Sequence, residues 1–199
     1  MRVARLVGPL GAVTVAAVAA LALTRAPGPA ADEHLAATAP APVEVSSDAP
    51  RFSSVAELAA ASDLVVRAEV RATERGRAFG APGGTSIESR LVTIVIADVL
   101  RGTAAPGQAL LVEEEGWLDD GTPLVVDGAA PSAEGDDAIW FLADVGDADG
   151  PRTVVVNPQG RYVVDGGRLQ GAKLDDALIA SVEALGPEGL TGRVAALPD

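Results

Sequence analysis

The stretch Ser54–Ala72, SVAELAAASDLVVRAEVRA, decides where the fold begins and what kind of fold it is. Ser54 and Glu57 form the S-x-x-E pattern of a helix N-terminus, in which each side chain accepts a hydrogen bond from a free backbone amide. From Leu64 to Ala72, apolar and charged residues alternate, which predicts a strand with one buried and one solvated face. The sequence therefore predicts a short helix followed directly by a β-strand, and we expect later strands to pair with this one.

Turn residues separate a series of further β-prone segments. The most β-prone is 91–100, LVTIVIADVL, whose Val, Ile and Thr content is typical of a central strand. The glycine-rich segment 74–86 predicts a loop between this strand and the first one. The remaining predicted strands are 109–114, 124–126, 138–143, 153–156, 161–164 and 168–170.

Turn and helix signals complete the folded segment. Pro158-Gln159-Gly160 predicts a hairpin between the strands on either side, and Asp165-Gly166-Gly167 predicts a second one. Apolar residues at helical spacing over 174–185 predict a final helix, which Gly186-Pro187 ends. The sequence thus predicts a mainly β fold of roughly five to seven short strands with a short helix at each end. A small antiparallel barrel or sandwich fits this order, and an OB-like barrel is one form of it.

Residues 1–50 differ in composition from the rest of the chain. Arg2 and Arg5 precede an apolar run, residues 6–23, which is the pattern of a secretory signal. The run is near the lower length limit for a membrane-spanning helix, so a cleaved signal peptide and an uncleaved signal-anchor both fit it. We expect the protein to be exported, either secreted or anchored in the membrane by this segment.

Composition divides the chain into four segments. Residues 1–24 are the signal peptide or signal-anchor, and residues 25–50, rich in Ala and Pro, predict a flexible tether. Residues 51–186 predict the β-rich domain, and residues 187–199 predict a C-terminal tail. The length left after the tether suits one hydrophobic core rather than two.

Four segments of the folded part also resemble a known pattern: SVAELAAASDLVVRAEV, LVTIVIADVLRG, AIWFLA and NPQGRYVVDGGRL. Their order, over about Phe52 to Gln170, resembles a family of exported small β-domain proteins from high-GC bacteria. That family is uncharacterised, so the resemblance implies an exported β-barrel, with an OB-like form, and no particular activity. The chain departs from the pattern at Ala68 and Asp127, where we expect glycine.

The folded part is strongly acidic. From Asp32 onward the chain has all 28 acidic residues and, of its 15 basic ones, all but Arg2, Arg5 and Arg25, which gives a net charge of −16. Such a surface repels phosphate backbones, which argues against nucleic acid as a partner. It favours a cation or a basic partner, such as a protein of the cell envelope.

The residue types present argue against nucleophilic catalysis. His34, the only histidine, lies in the predicted tether, and the chain has no cysteine. A serine or cysteine nucleophile would therefore lack an imidazole base, and nothing marks a serine partner for Lys173, the only lysine. We expect no enzymatic activity and no cofactor, and we interpret the domain as a binding or interaction module of the cell envelope.

Acidic residues are concentrated in a segment that lacks basic ones. Between Gly102 and Pro151 there is no Lys or Arg, but there are twelve Asp or Glu. Within it, Asp144, Asp147 and Asp149 of the stretch DVGDADG come nearest to a calcium-binding loop, although they miss the EF-hand spacing. We expect either a weak Ca²⁺ site or a solvated acidic rim.

The same acidic region, residues 113–149, supports a metal-assisted or carboxylate-based hydrolase as the alternative function. Glu113 and Glu115 share a face of the predicted strand, about 7 Å apart by the strand rise, which permits glycoside hydrolysis. Trp117 would be a sugar platform beside them, or a lid over the end of a barrel. For a binding module, the barrel mouth or the acidic loops at 116–137 would be the contact surface.

Overall fold

Strands dominate the architecture, which confirms the predicted mainly β fold. We describe it from a computed structural model, for residues 40–80, 86–147 and 150–198. The helices are α1 (Val55–Ala60) and α2 (Ala177–Ala195). The strands are β1 (Val43–Val45), β2 (Leu64–Gly80), β3 (Ser86–Arg101), β4 (Ala109–Leu118), β5 (Leu124–Val126), β6 (Asp137–Asp147), β7 (Gly150–Val155), β8 (Arg161–Asp165) and β9 (Arg168–Gln170).

Helix α1 begins where the capping pattern predicted. The Ser54 side chain accepts a hydrogen bond from the Glu57 amide at 3.2 Å. The Glu57 carboxylate in turn accepts from both the backbone amide and the hydroxyl of Ser53, each at 2.8 Å. Val55, Leu58 and Ala59 form its buried face, so tertiary packing supports a helix too short to be stable alone.

Strand β2 is much longer than predicted, because 74–80 are strand rather than loop. The register runs on from Arg75 opposite Arg90 to Phe79 opposite Ile87, with an irregularity between Arg75 and Ala78. Glycine disfavours a strand only weakly, and here the partner strand supplies the ladder hydrogen bonds. Of the predicted loop, residues 81–85 lie outside the described part of the chain.

The strand order differs from a simple succession of hairpins. Within the described residues, seven strands follow the order β2-β3-β4-β7-β6-β8-β9, and β2 also pairs with β6. All of these pairings are antiparallel except that between β4 and β7, which is parallel. β1 forms a separate parallel pair with β5.

The predicted hairpin around Pro158-Gln159-Gly160 is wrong, whereas the one at Asp165-Gly166-Gly167 is confirmed. β7 and β8 do not pair with each other, because both pair with the same edge of β6, β7 with residues 142–147 and β8 with residues 138–140, while β2 occupies the other edge. Pro158–Gly160 form a 3₁₀ turn capped by the side chain of Asn157, and this turn joins the two strands along that edge. β8 and β9 pair across the second turn.

Buried apolar side chains of the described residues form two clusters on opposite faces of β2. Val66, Ala68 and Val70 belong to one cluster, which is made by strands. Val65 belongs to the other, which also contains the buried faces of α1 and α2. The predicted alternation is therefore present, but the second face is covered by helices at the start of the strand rather than solvated.

Helix α2 extends beyond the predicted end of the last helix. It is interrupted at Gly186, where φ is 69° and ψ is 174°, and it continues to Ala195. Pro187 is tolerated because it falls in the first turn after the break, where its missing amide costs no hydrogen bond. Leu190 and Val194 are buried, so residues 187–195 are a packed helical segment rather than a loose tail.

The N-terminal end of the described chain carries a strand in the range predicted to be tether. β1 is exposed, and its register places Val43 opposite Leu124 and Val45 opposite Val126. The predicted export segment, residues 6–23, lies outside the described residues. No helix within the described ranges is both long and apolar enough to cross a membrane.

Gln159 joins three parts of the fold through its fully buried side-chain amide. Its carbonyl accepts a hydrogen bond from the Phe52 amide at 2.7 Å, and its NH₂ group donates to the Phe52 carbonyl at 3.0 Å. The same NH₂ group donates to Asp176, the N-cap of α2, at 2.9 Å. The residue thereby links the start of the domain and the last helix to the 3₁₀ turn.

We expect Asp176→Ala to lower the free energy of unfolding by about 1–2 kcal/mol. The Asp176 carboxylate accepts hydrogen bonds from the amides of Leu178 and Ile179 at 2.9 and 3.1 Å, and the substitution leaves both amides and Gln159 without this acceptor. Asp175→Ala is the matched control, because Asp175 is an exposed carboxylate one residue away. Urea unfolding measures the stability of both variants. Equal losses of unfolding free energy would contradict the role of Asp176 as the N-cap.

The same carboxylate should make stability depend on pH. Burial alone would raise the pKa of Asp176, but hydrogen bonds from Ile179, Gln159 and Leu178 outweigh it and hold the pKa below the ordinary value of 3.8. The unfolded chain therefore binds this proton more readily, so the stabilisation is present above about pH 4 and is lost as pH falls. The stability difference between wild type and Asp176→Asn should shrink between about pH 6 and about pH 3, and a constant difference would argue against this role.

Candidate functional site

A cavity of about 580 Å³ opens on the described part of the molecule. Strand residues from β2, β3, β4, β7 and β8 line it on one side. The chain from Leu124 to Pro131 and the segment that follows β1, through Ser47 and Ala49, line the other. Of the described residues in its wall, four are arginines and three are glutamates: Arg77, Arg90, Arg152, Arg161, Glu113, Glu114 and Glu115.

Glu113 lies between two of these arginines. One carboxylate oxygen is 3.0 Å from Nε of Arg77, and the other is 3.1 Å from Nε of Arg152. The Glu113 side chain is only 11% exposed, so this ion-pair cluster is largely removed from water. A neighbouring cavity of about 460 Å³ shares all three residues, which therefore form the boundary between the two cavities.

Glu114 lies between the other two arginines, but at longer distances. Its carboxylate oxygens are each 3.9 Å from an Nη1 atom, one of Arg90 and one of Arg161. Glu114 accepts its short hydrogen bond, 2.7 Å, from the hydroxyl of Ser132. Arg161 donates to that hydroxyl and to the carbonyl of Ala130, and its Nη1 lies 3.8 Å from Asp136.

Arg90 is the most deeply buried of the four guanidinium groups, with its side chain 7% exposed. Its Nη1 atom has no hydrogen-bond partner among the described residues. Burial lowers the pKa of Arg90, while Glu114 opposes the shift and nearby Arg161 adds to it. Arginine remains charged under such conditions, so the cavity wall contains a buried cation with an unused hydrogen-bond donor.

Trp117 holds the Arg90 guanidinium in place rather than offering a free ring face for a sugar. The guanidinium carbons of Arg75 and Arg90 lie 4.7 and 4.6 Å from the centre of the Trp117 ring. Arg75 also forms an ion pair with Glu88. Stacking of this kind orients a planar guanidinium.

The chain after β1 is attached to the cavity rim through Asp127. The Asp127 carboxylate accepts a hydrogen bond from the Ser47 hydroxyl at 2.5 Å and forms an ion pair with Arg51 at 3.2 Å. Asp127 has a φ of 49°, the left-handed conformation that glycine adopts most easily, and it is buried. Ser47 and Ala49 of this segment form part of the cavity wall.

The structure places the two carboxylates predicted for hydrolysis in the same cavity wall but in different surroundings. Glu113 and Glu115 both line the cavity, but Glu115 is exposed and Glu113 contacts arginines through both of its oxygens. Two residues of the predicted calcium site, Asp144 and Asp147, lie in strand β6 of the β6–β7 hairpin. Asp144 there accepts a hydrogen bond from Thr153 at 2.8 Å.

The other two predicted calcium ligands cannot be placed in the same way. Asp147 pairs with Gly150 at the end of the hairpin, and Asp149 lies outside the described residues. No group of three or more His, Asp or Glu residues suited to a metal is found in the described ranges.

Sequence reasoning missed the arginine side of this site. All four arginines lie outside the segment 102–151, which contains acidic but no basic residues, and the strand register brings them to it. Arg90, for example, lies directly opposite Glu114 on paired strands. The available signal was the position of Arg90 immediately before the apolar run 91–100, where a charge on a central strand needs a partner.

Comparison with known proteins gives no match to a protein family, to a curated protein or to a solved structure. The function must therefore be argued from the site itself. Its chemistry is that of two buried ion-pair clusters beside an apolar wall, with one guanidinium incompletely paired.

We expect Glu114→Gln to lower the free energy of unfolding by about 1–3 kcal/mol, because it leaves Arg90 and Arg161 buried with less compensating charge. Glu115→Gln is the matched control: it removes the same charge from the next residue, which is exposed, and should change stability by less than about 0.5 kcal/mol. Unfolding should be measured in urea, because the denaturant guanidinium chloride is a salt and would screen the charges under test. Similar losses of unfolding free energy in both variants would show that the ion pairs of Glu114 with Arg90 and Arg161 are not buried.

Proposed function

We propose that this protein is an exported, non-catalytic binding module built on a closed, OB-like β-barrel, and that its ligand site is the arginine-lined cavity. The observation that carries the proposal is the buried Arg90 guanidinium, which lines a cavity of about 580 Å³ and whose Nη1 atom has no hydrogen-bond partner among the described residues. Cavities of this size hold small molecules, and a few polar groups in an apolar wall orient them.

The pairing pattern supports the barrel. β2 pairs with β3 and with β6, and the order β2-β3-β4-β7-β6 leads back to β2 through antiparallel partners and one parallel pair, β4 with β7. A circuit of five paired strands in a small Greek-key arrangement is what an OB-like barrel requires. The strand cluster containing Val66, Val92 and Trp140 would fill its interior.

The contacts at the site favour binding over hydrolysis. A carboxylate that acts as a general base or nucleophile needs an oxygen within reach of the substrate or a water molecule. Both oxygens of Glu113 are engaged by arginines, and Trp117 is stacked by two guanidinium groups. No observation in the described residues favours the alternative hydrolase, so we retain a binding role.

The surface charge supports the choice of partners. The net charge of −16 from Asp32 onward disfavours nucleic acid, although OB-like barrels commonly bind it. The acidic surface could have partners of its own. One is a protein of the cell envelope, and the other is a cation at Asp144, Asp147 and Asp149. The cavity, by contrast, is a place for a small molecule.

A cavity-filling variant tests the binding role. Ala49 lines the cavity from the segment after β1, so Ala49→Trp should occupy it with little effect on the barrel strands. Ser46→Trp is the matched control, because Ser46 is exposed and absent from the cavity wall. Compounds that raise the melting temperature of the full-length chain in a small-molecule screen should lose at least half of that shift in Ala49→Trp and keep it in Ser46→Trp.

The result that would refute the cavity as the ligand site is a set of compounds whose shifts persist in Ala49→Trp. Ca²⁺, Mg²⁺ and EDTA belong in the same screen. A Ca²⁺ shift abolished by Asp144→Asn would instead place ligand binding on the acidic hairpin.

Export depends on the N-terminal segment in this proposal. Arg2 and Arg5 precede the apolar run 6–23, the arrangement that directs secretion. Fusing the full chain to an alkaline phosphatase that is active only outside the cytoplasm should give activity, and deleting residues 2–24 should abolish it. Blots of membrane and soluble fractions distinguish an anchored form from a cleaved one, and equal activity without the segment would exclude this route of export.

A further inference from the structure

We propose that the cavity takes a small monoanion with one carboxylate on an aliphatic body, and that Arg90 is the residue that binds the carboxylate. This inference rests on the proposed function, since it names the ligand class of the same site. Four features lead to it: the incomplete compensation of the Arg90 charge, the geometry of Arg90, the acidic surroundings and the character of the apolar wall.

The charge of Arg90 is incompletely compensated at close range. Among the described residues, the four guanidinium groups of the wall face three wall carboxylates, and Asp136 adds a fourth, 3.8 Å from Arg161, so the charges are matched in number but not in distance. The carboxylate nearest to Arg90 is Glu114, at 3.9 Å, and Arg161 shares it. Because a buried cation is costly without close compensation, an anion placed against Arg90 would be favoured.

The geometry of Arg90 suits a carboxylate. A guanidinium offers donors in a planar fork, which matches the two oxygens of a carboxylate and can bind both at once. Trp117 fixes the plane of this fork by stacking at 4.6 Å, and the Nη1 donor has no partner among the described residues. The site is therefore oriented before the ligand arrives, which reduces the entropy lost on binding.

The acidic surroundings restrict the ligand to a small number of charges. The chain from Asp32 onward carries a net charge of −16, so a ligand with several negative charges is repelled as it approaches. A single carboxylate meets the least repulsion outside the cavity and still pairs with Arg90 inside it. A phosphate group, which carries more charge at neutral pH, fits this surface less well.

The rest of the cavity favours an aliphatic body. The apolar residues of the wall include Val126, Pro131, Val154 and Val156. Of the described residues that line the cavity, Phe79 is the only aromatic one, so stacking surfaces for a base or a sugar ring are scarce. Aliphatic side chains of this kind stabilise an alkyl group by burying it, at about 0.8 kcal/mol for each CH₂.

Calorimetric titration of the full-length chain with a matched set of probes tests the ligand class. Hexanoate, 1-hexanol, hexylamine and inorganic phosphate separate the contribution of the charge from that of the alkyl chain. We expect hexanoate to bind at least tenfold more tightly than each of the other three. If phosphate binds more tightly than hexanoate, the ligand carries a phosphoryl group and not a carboxylate, and the proposal is refuted. Hexanol or hexylamine binding as tightly as hexanoate, or more tightly, would also overturn it.

Substitutions of two arginines test the role of Arg90. Arg90→Gln should weaken hexanoate binding at least tenfold, and Arg90→Lys should weaken it less, because lysine keeps the charge but loses the planar fork. Arg75→Gln is the matched control: Arg75 stacks on the same Trp117 ring but does not line the cavity, so affinity should change less than twofold. Equal losses in Arg75→Gln and Arg90→Gln would overturn the assignment of Arg90.

Failure of this inference can be told apart from failure of the proposed function. If Arg90→Gln does not fold, as judged by circular dichroism, the probe series on the wild type and on Ala49→Trp still decides the ligand class. Neutral or cationic compounds that bind the wild type and are blocked by Ala49→Trp would refute the carboxylate ligand while supporting the cavity. Binding of every probe that is unaffected by Ala49→Trp would refute both.

Discussion

The structure depends on one strand segment that pairs along both of its edges. Over Val65–Glu69, β2 forms antiparallel pairs with β3 on one edge and with β6 on the other. These pairings satisfy the backbone groups of the segment and leave it no free edge. They also determine what packs against each face of β2: Val66 and Ala68 belong to the strand cluster, while Val65 belongs to the cluster that contains α1 and α2. The helices, the hairpin after β6 and the cavity beside β4 are all positioned relative to this segment.

Local sequence signals predicted the elements well, and they failed where distant partners decide. The cap at Ser54 and the alternation from Leu64 involve neighbouring residues only, so they could be recognised directly. The strand at 74–80 and the helix after Pro187 could not, because both are stabilised by contacts with residues outside the segment itself: pairing with β3 in one case and burial of Leu190 and Val194 in the other. The succession of β7 and β8 along one edge of β6 is likewise a long-range choice that the turn motif between them does not encode.

The site was hidden from sequence reasoning for the same reason. A segment with twelve acidic and no basic residues suggests a solvated acidic rim or a cation site when it is considered alone. In the fold, arginines from four other segments reach two of its glutamates, so that Glu113 and Glu114 become the centres of ion-pair clusters. The acids could be counted in advance, but their partners could not be identified without the register that sets Arg90 opposite Glu114.

Stability alone does not account for these buried charges. A chain without cysteine must be held together by packing, and a buried ion pair adds little to that, because the cost of removing both charges from water offsets their attraction. Apolar side chains at Arg90 and Arg161 would serve a purely structural role as well. The proposed binding role would explain their presence, since a guanidinium that is already dehydrated and stacked on Trp117 would need little rearrangement to receive an anion. In this proposal the acidic exterior would contribute selectivity: it would repel extended polyanions at a distance, whereas a single carboxylate on an apolar body could pass and be held by contact.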